Sequence, residues 1–311
     1  MAMPVFAPGS ISFRLYPHNE LAADEIVATL RAQALQAERA GFDGIMTAEH
    51  HGGVGGYLPN PLQVAGWALE ATERAWAAAC PILLPLRPTA LVIEEAAWLA
   101  ARFPGRVGLG VGAGALEADF QIMGQAMEGY KERFLAALPV VTKALTGGDA
   151  GLLAKDPAVL RLAQNPVPVL SAASTPGGCR HAAAAGAGLL LDGGPAHIRR
   201  IVGIYRDAGG KGPLILVRRV WLGDAATFKK LQERLMAFYS GYVDKDSLAR
   251  LIADPPIGGT PAEAAEKLAA SLHETDTEAL NIRVHVPGVS PDEVRAQINA
   301  LAETIRILRR T

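Results

Sequence analysis

Cysteine is nearly absent: Cys80 and Cys179 are the two in 311 residues. Two thiols so far apart make neither a disulfide framework nor a zinc-ligand pattern, so reduced thiols in a cytoplasmic setting are the expectation. Charge of one sign is also missing, since the formal net charge is −1. That excludes a basic field for nucleic acid or a polybasic membrane segment and leaves a small molecule as the expected partner. Apolar runs such as Ala182 to Leu191 are too short to cross a bilayer. Met1-Ala2-Met3-Pro4 has no basic stretch leading into an apolar one, so no secretory signal is expected.

What is present describes a large folded core. Half of the residues are hydrophobic, 20% are charged, and 33 glycines and 21 prolines are scattered rather than bunched. Length alone allows two average domains or one large α/β barrel.

The elements alternate along the chain. Ile11 to Leu15 reads as a strand, Ala23 to Ala40 as a helix closed by Gly41, and Phe42 to Thr47 as the next strand. Asn60-Pro61 opens a helix, and Trp76 to Leu84 is a continuous apolar run of the kind a parallel sheet covered on both faces requires. Pro81 inside that run predicts a bulge or a cis peptide, because proline cannot donate to a ladder. A helix over Thr89 to Phe103 stops at Pro104-Gly105, and Arg106 to Gly114 follows as a strand with Val107, Leu109 and Val111 on one face and glycines on the other. Something must come close to that bare face.

A helix from about Gly129 to Leu145 leads into an irregular stretch, Thr146 to Asn165. Strands over Val167 to Ala173, Gly188 to Leu191 and Leu214 to Leu222 alternate with helices opened at Thr175-Pro176 and at Pro195. Ala225 to Leu251 is helical in pattern. Thr260-Pro261-Ala262-Glu263 and Ser290-Pro291-Asp292-Glu293 are capping boxes on either side of a last strand, Ala279 to Val286. About eight strands alternating with helices predict an α/β fold, a (β/α)8 TIM barrel formed by residues 1–311 as a single domain, with a doubly wound open sheet as the alternative.

Three segments carry candidate chemistry. Glu49-His50-His51 ends the second strand and runs into a glycine-rich loop, Gly52 to Gly56, where a barrel delivers reactive side chains. Adjacent side chains on a strand point to opposite faces and the spacing matches no zinc motif, so no metal is expected. One histidine can act as a general base or hydrogen-bond donor while the other is structural, or both can be structural. Gly108 to Gly114 does not complete G-x-G-x-x-G and is itself a strand; either a helix packs closely there or the face is cleared for a flat ligand. Ser174-Thr175-Pro176-Gly177-Gly178 offers hydroxyls and unhindered amides at a helix start, suited to a phosphate or to plain capping. Cys80 and Cys179 have no neighbouring base in sequence, so neither is a candidate nucleophile.

Taken in order, GFDGIMTAEHH, PNPLQVAGWALEAT, ILLPLRPTALVIEEAAWLAARFPGRVGLGVGAG, PVLSAAST with AAAAGAG, IGGTPAEAAEKL and VHVPGVSPDEVRAQINALAETI make the chain resemble the luciferase-like monooxygenase family of flavin-dependent enzymes. The resemblance spans nearly the whole chain. It implies a (β/α)8 barrel with that family's insertions, dimeric, holding reduced FMN or a deazaflavin at the carboxyl ends of the strands. It implies that His50 is the active-site histidine, with Glu49 orienting a histidine beside it. Cys80-Pro81 would be a cis peptide in a bulge behind the flavin ring, and Ser174, Thr175, Gly177 and Gly178 would hold the phosphate. Gly112 stands where bacterial luciferase has a reactive cysteine, and Ala113 where it has a phosphate-binding arginine; Arg87 is a candidate for supplying the missing charge. The Gly52 to Tyr57 loop would be a lid.

The function implied is a two-component monooxygenase. Reduced FMN from a separate flavin reductase would react with O2, through a C4a-peroxyflavin, to oxidise a small organic substrate as a homodimer. The alternatives are a deazaflavin-dependent hydride-transfer oxidoreductase on the same barrel, or a flavin-binding dimer partner without catalysis.

Overall fold

A computed structural model describes residues 2–54, 57–240, 256–286 and 288–310. The first half runs β1 (Ile11–Arg14), α1 (Ala23–Ala40), β2 (Gly44–Thr47), α2 (Pro61–Ala71), β3 (Trp76–Leu83), α3 (Thr89–Arg102), β4 (Val107–Gly112), α4 (Glu117–Ile122) and α5 (Tyr130–Leu145). The second runs α6 (Pro157–Leu160), β5 (Val169–Ser171), α7 (Pro176–Ala185), β6 (Gly188–Leu191), α8 (Pro195–Asp207), β7 (Leu214–Leu222), α9 (Ala225–Ser240), β8 (Ile257–Gly259), α10 (Pro261–Thr275), β9 (Ala279–Arg283) and α11 (Pro291–Leu308). Eight parallel strands close in the order β1-β2-β3-β4-β5-β6-β7-β9 and back to β1, which settles the choice in favour of the (β/α)8 barrel over an open sheet. The short β8 lies outside that ring and pairs with the end of β7.

Local chemistry explains the boundaries. Gly41 caps α1 at φ +101°, a left-handed conformation that favours glycine. Thr260 and Ser290 each accept from the N–H three residues on, and Glu263 and Glu293 reach back to close both capping boxes. Arg106, read above as part of a family signature, is a structural staple here: its guanidinium donates to the carbonyls of Thr72 and Ala75 at the amino end of the barrel. Thr146 to Asn165 holds two single 3-10 turns and α6 rather than a regular element. The helical reading of Ala225 to Leu251 is met through Ser240, and its remainder lies outside the described residues.

The barrel interior is filled from below. Phe6 meets Trp76 edge to face, with ring centroids 5.1 Å apart, and both are fully buried beside Met46, Leu170 and Ile215. Above them lies a buried guanidinium. Arg14 donates to Asn281 Oδ1 and to the Cys80 carbonyl, both at 2.7 Å. Burial, and then the neighbouring Arg283, hold it below its ordinary pKa.

The bare face of β4 has an answer that differs from a cleared ligand surface. A Cβ on Gly108 would lie 2.6 Å from the Phe6 ring, and one on Gly110 would lie 2.0 Å from Cys80 Sγ. These glycines make room for the barrel's own filling. Gly112 is different, since a Cβ there would make ordinary 3.5 Å contact with Pro81.

Candidate active site

The carboxyl end of β2 delivers Glu49, His50 and His51, and the two histidines turn to different carboxylates. His51 Nε2 lies 2.9 Å from Glu49 Oε1, while His50 Nδ1 lies 2.8 Å from Asp119 Oδ2. Asp119 also accepts from the His51 backbone N–H at 2.7 Å, so one carboxylate fixes both the loop and the ring. Burial alone would raise the Asp119 pKa, but the hydrogen bonds from His50 and His51 and their charges outweigh it and hold the carboxyl below its ordinary value. An ionised carboxylate only accepts, so His50 carries its proton on Nδ1 and leaves Nε2 for the mouth of the barrel.

Glu49 does not reach that mouth. Its side chain is fully buried and accepts from Leu83 N–H at 2.6 Å and from the Arg87 guanidinium at 2.7 Å, besides its contact with His51. Glu49 therefore ties β2 to β3 and orients His51, not His50. Arg87 joins the same network, its Nη2 donating to the Pro59 carbonyl at 3.0 Å as well as to Glu49.

The Cys80–Pro81 bond is cis and the β3–β4 register shifts between Ala79 and Ile82, so both features suggested by the proline are present. The Cys80 thiol itself packs into the barrel, and burial pushes its pKa up to about 12. Pro81, not Cys80, faces outward, into a cavity of about 180 Å³ that Ala172, Ser174, Asp192, His197 and Arg283 also line. Thr175 caps α7 by accepting from Gly178 N–H at 3.2 Å, and a Cβ at Gly177 would meet nothing within 4 Å, so this helix start is open.

Several residues gathered here are not among the sequence candidates. Tyr57 sits edge-on to His50 at 4.4 Å and to Tyr16 at 5.5 Å, and Tyr16 stacks on His285 at 5.2 Å. Burial first, then His18 and Arg219, depress the His285 pKa to about 3, so that ring is neutral. Gly52 and Gly53 turn the loop at φ +68° and +73°, whereas Gly55 and Gly56 of the expected lid lie outside the described residues.

These residues suit a flavin's shape. Pro81 and Gly112 give a smooth apolar wall, and α7 offers an open helix start for a phosphate. The cavity's volume is below the roughly 300–1,000 Å³ of a complete ligand site, so it would take part of a flavin and not the whole.

Comparison with known proteins agrees with this architecture. The chain is 31% identical over 179 residues to an F420-dependent glucose-6-phosphate dehydrogenase of Beutenbergia cavernae, a match covering 53% of this chain and 52% of that protein. The chain thus spans about half the length of that curated relative, and less of an alkanal monooxygenase alpha chain of Photorhabdus luminescens, where the match covers 37%. Its fold superposes on the monooxygenase RslO1 of Streptomyces bottropensis with a TM-score of 0.81 at 19% identity, covering 96% of this chain and 99% of that one. It superposes on the oxygenating constituent of 3,6-diketocamphane monooxygenase of Pseudomonas putida, in complex with FMN, with a TM-score of 0.73 at 18% identity, covering 96% and 98%. A family model described as luciferase-like monooxygenase matches residues 5–306, and the chain belongs to that family.

Proposed function

We propose that this protein is an FMN-dependent monooxygenase that takes reduced FMN from a separate reductase and uses O2 to oxidise a small organic substrate. The observation that carries the reading is the His50–Asp119 pair just past the carboxyl end of β2, where the Glu49 N–H donates to the carbonyl of Pro81, a wall of the cavity. Reduced FMN, when bound, supplies the electrons that activate O2 and delivers oxygen to the substrate. The chain's own residues bind, orient and move protons. Pro81 and Gly112 would back the ring, and Ser174, Thr175 and Gly177 would receive the phosphate at the start of α7, where the Gly178 N–H already donates to Thr175 Oγ1. Asp119 holds His50 in one tautomer, so that Nε2 takes or returns a proton at the reacting edge. Tyr57 packs edge-on against the His50 ring, and Glu49 with Arg87 and His51 keeps the end of β2 in place.

The single barrel domain would work as a homodimer, a reading supported by exposed Leu91 and Trp98 on α3 and Leu135 and Val140 on α5. Two free, buried thiols fit a reducing cytoplasm. Among the described residues no helix is long and apolar enough to cross a membrane.

The test is oxygen consumption with FMN, a flavin reductase and a panel of ketones, aldehydes and aromatic substrates. Product-forming uptake should fall at least a hundredfold in His50→Ala, and unchanged turnover in that variant would remove His50 from the chemistry. A second reading, hydride transfer with a deazaflavin, is favoured by the 31% identity to the F420-dependent dehydrogenase. Oxygen-independent turnover with F420 would select it.

A further inference from the structure

Asp119, which fixes the His50 ring, does not stand on a strand of the barrel. It is carried by residues 113–129, between β4 and α5, whose one regular element is α4, six residues long with no side-chain cap at its start. A helix that short does not hold itself together. The segment leaves β4 through Gly114 at φ +87°, turns at Gly124 at φ +64°, and enters α5 through Gly129 at φ +67°. Left-handed backbone of this kind favours glycine and lets the chain change direction.

Two side chains seat the segment. Phe120 is fully buried, but outside the main core: it forms a small cluster of its own with Leu83 and Leu86, and its ring meets Tyr130 edge to face at 5.5 Å. Ile122 is more than half exposed and lies against the histidine loop, since a Cβ on Gly52 would come to 2.6 Å from Ile122 Cδ1. Between these anchors Asp119 reaches the His50 ring and the His51 N–H. The seat belongs to the site as well, because Leu83, which packs with Phe120, donates its N–H to Glu49. At the far end Arg133 of α5 donates to the carbonyls of Ala126 and Glu128.

An element with a separate apolar anchor and a left-handed glycine near each end has the properties of a unit that opens apart from the rest of the fold. We propose that residues 113–129 form a latch: seated by Phe120 and Ile122, it holds Asp119 against His50 and completes the site; lifted about its glycines, it uncovers the His50 loop for substrate and takes the carboxylate away. Phe120 and Ile122 are positioning residues that act on His50 through Asp119. This deepens, and rests on, the reading of His50 as the group that moves the proton. When Asp119 leaves, the ring loses the acceptor that fixes its proton on Nδ1, so it holds the working tautomer only while the latch is down. Admission of substrate and chemistry then exclude each other, as in enzymes whose lids complete the catalytic constellation on closing.

The experiment reads His50 itself, in the full chain without flavin. Ring nitrogen NMR shifts at about pH 8.5, above the ordinary imidazole pKa, report which nitrogen carries the proton, with His50→Gln assigning the signal. Wild type should show the Nδ1–H form. Phe120→Ala should cut that population by about twofold or more, Phe120→Leu should restore most of it, and Ile122→Ala should shift it in the same direction as Phe120→Ala. Amide hydrogen exchange should find residues 117–130 opening roughly tenfold more often than β4 in wild type, and roughly tenfold more again in Phe120→Ala with β4 unchanged. A packing role alone for Phe120 would lower the unfolding midpoint and leave the ring as it is; that result, or residues 117–130 as well protected as β4, would overturn the proposal. Near-ultraviolet circular dichroism identifies a variant that fails to fold, and if Phe120→Ala does, Ile122→Ala carries the test. Titration of the same samples with FMN keeps the two readings apart: a ring shift without FMN binding keeps the latch and removes the flavin function, and FMN binding with a ring indifferent to Phe120→Ala and Ile122→Ala does the reverse.

Discussion

Replacing Glu49 with glutamine separates a positioning carboxylate from a chemical one. The side chain is fully buried and Arg87 is 10% exposed, so the substitution leaves a guanidinium with no countercharge in a poorly hydrated place. Removing one partner of a buried pair costs about 3–5 kcal/mol. The retained oxygen of glutamine still accepts from Leu83 N–H, and Arg87 keeps the Pro59 carbonyl, which places the expectation near the lower end, about 3 kcal/mol. At about 2–3 °C per kcal/mol for a chain of this size, thermal unfolding should move down by about 6–9 °C. Glu49→Gln with Arg87→Met should regain about half of the loss, because no stranded charge remains. Turnover of the folded fraction should change only a few-fold, since His50 is held by Asp119. Unfolding unchanged, with turnover down a hundredfold or more, would refute this and put Glu49 in the chemistry.

Asp119→Asn should lower turnover by roughly a hundredfold with binding of FMN retained, as His50 loses the acceptor that sets its tautomer. The folded pKa of Asp119 is depressed, so its contribution to stability is present above the unfolded pKa near 3.8 and is lost as pH falls through the lower folded value. Urea unfolding should therefore depend less steeply on pH below about 4 in this variant. His285 is a base with a depressed folded pKa of about 3, so the unfolded chain binds more protons between there and 6.5 and stability should decline as pH falls through that window. His285→Phe, which keeps the stack on Tyr16, should flatten the decline in urea midpoint between pH 7 and 4. Gly110→Ala would bring a Cβ to 2.0 Å from Cys80 Sγ and should destabilise by about 1–3 kcal/mol or more, whereas Gly112→Ala should leave the unfolding midpoint nearly unchanged and weaken FMN binding.

Much of this architecture was legible because its signals are local. Capping boxes, helix-stop glycines and apolar strand runs mark their elements within a few residues, and Pro81 betrays the irregular strand because proline lacks a donor. The glycine face of β4 announced a close approach, yet sequence could not say that Phe6 and Cys80 make it, since those contacts arise only on closure of the barrel. Asp119 gave no signal: it lies 69 positions from His50, on a six-residue helix too short for a periodic pattern. Glu49 was picked out by its neighbours in sequence, and only the fold turns it away from the mouth toward Arg87 and Leu83.

Titration of the purified chain with FMN and with F420, followed by flavin absorbance and by native mass, bears most directly on a flavin seated between Pro81 and His50. Binding of one FMN per chain is expected, weakened by Gly112→Val, with the ring's absorbance band shifted by the apolar wall and altered again in His50→Ala. Absence of FMN binding, or FMN binding indifferent to both substitutions, would contradict it.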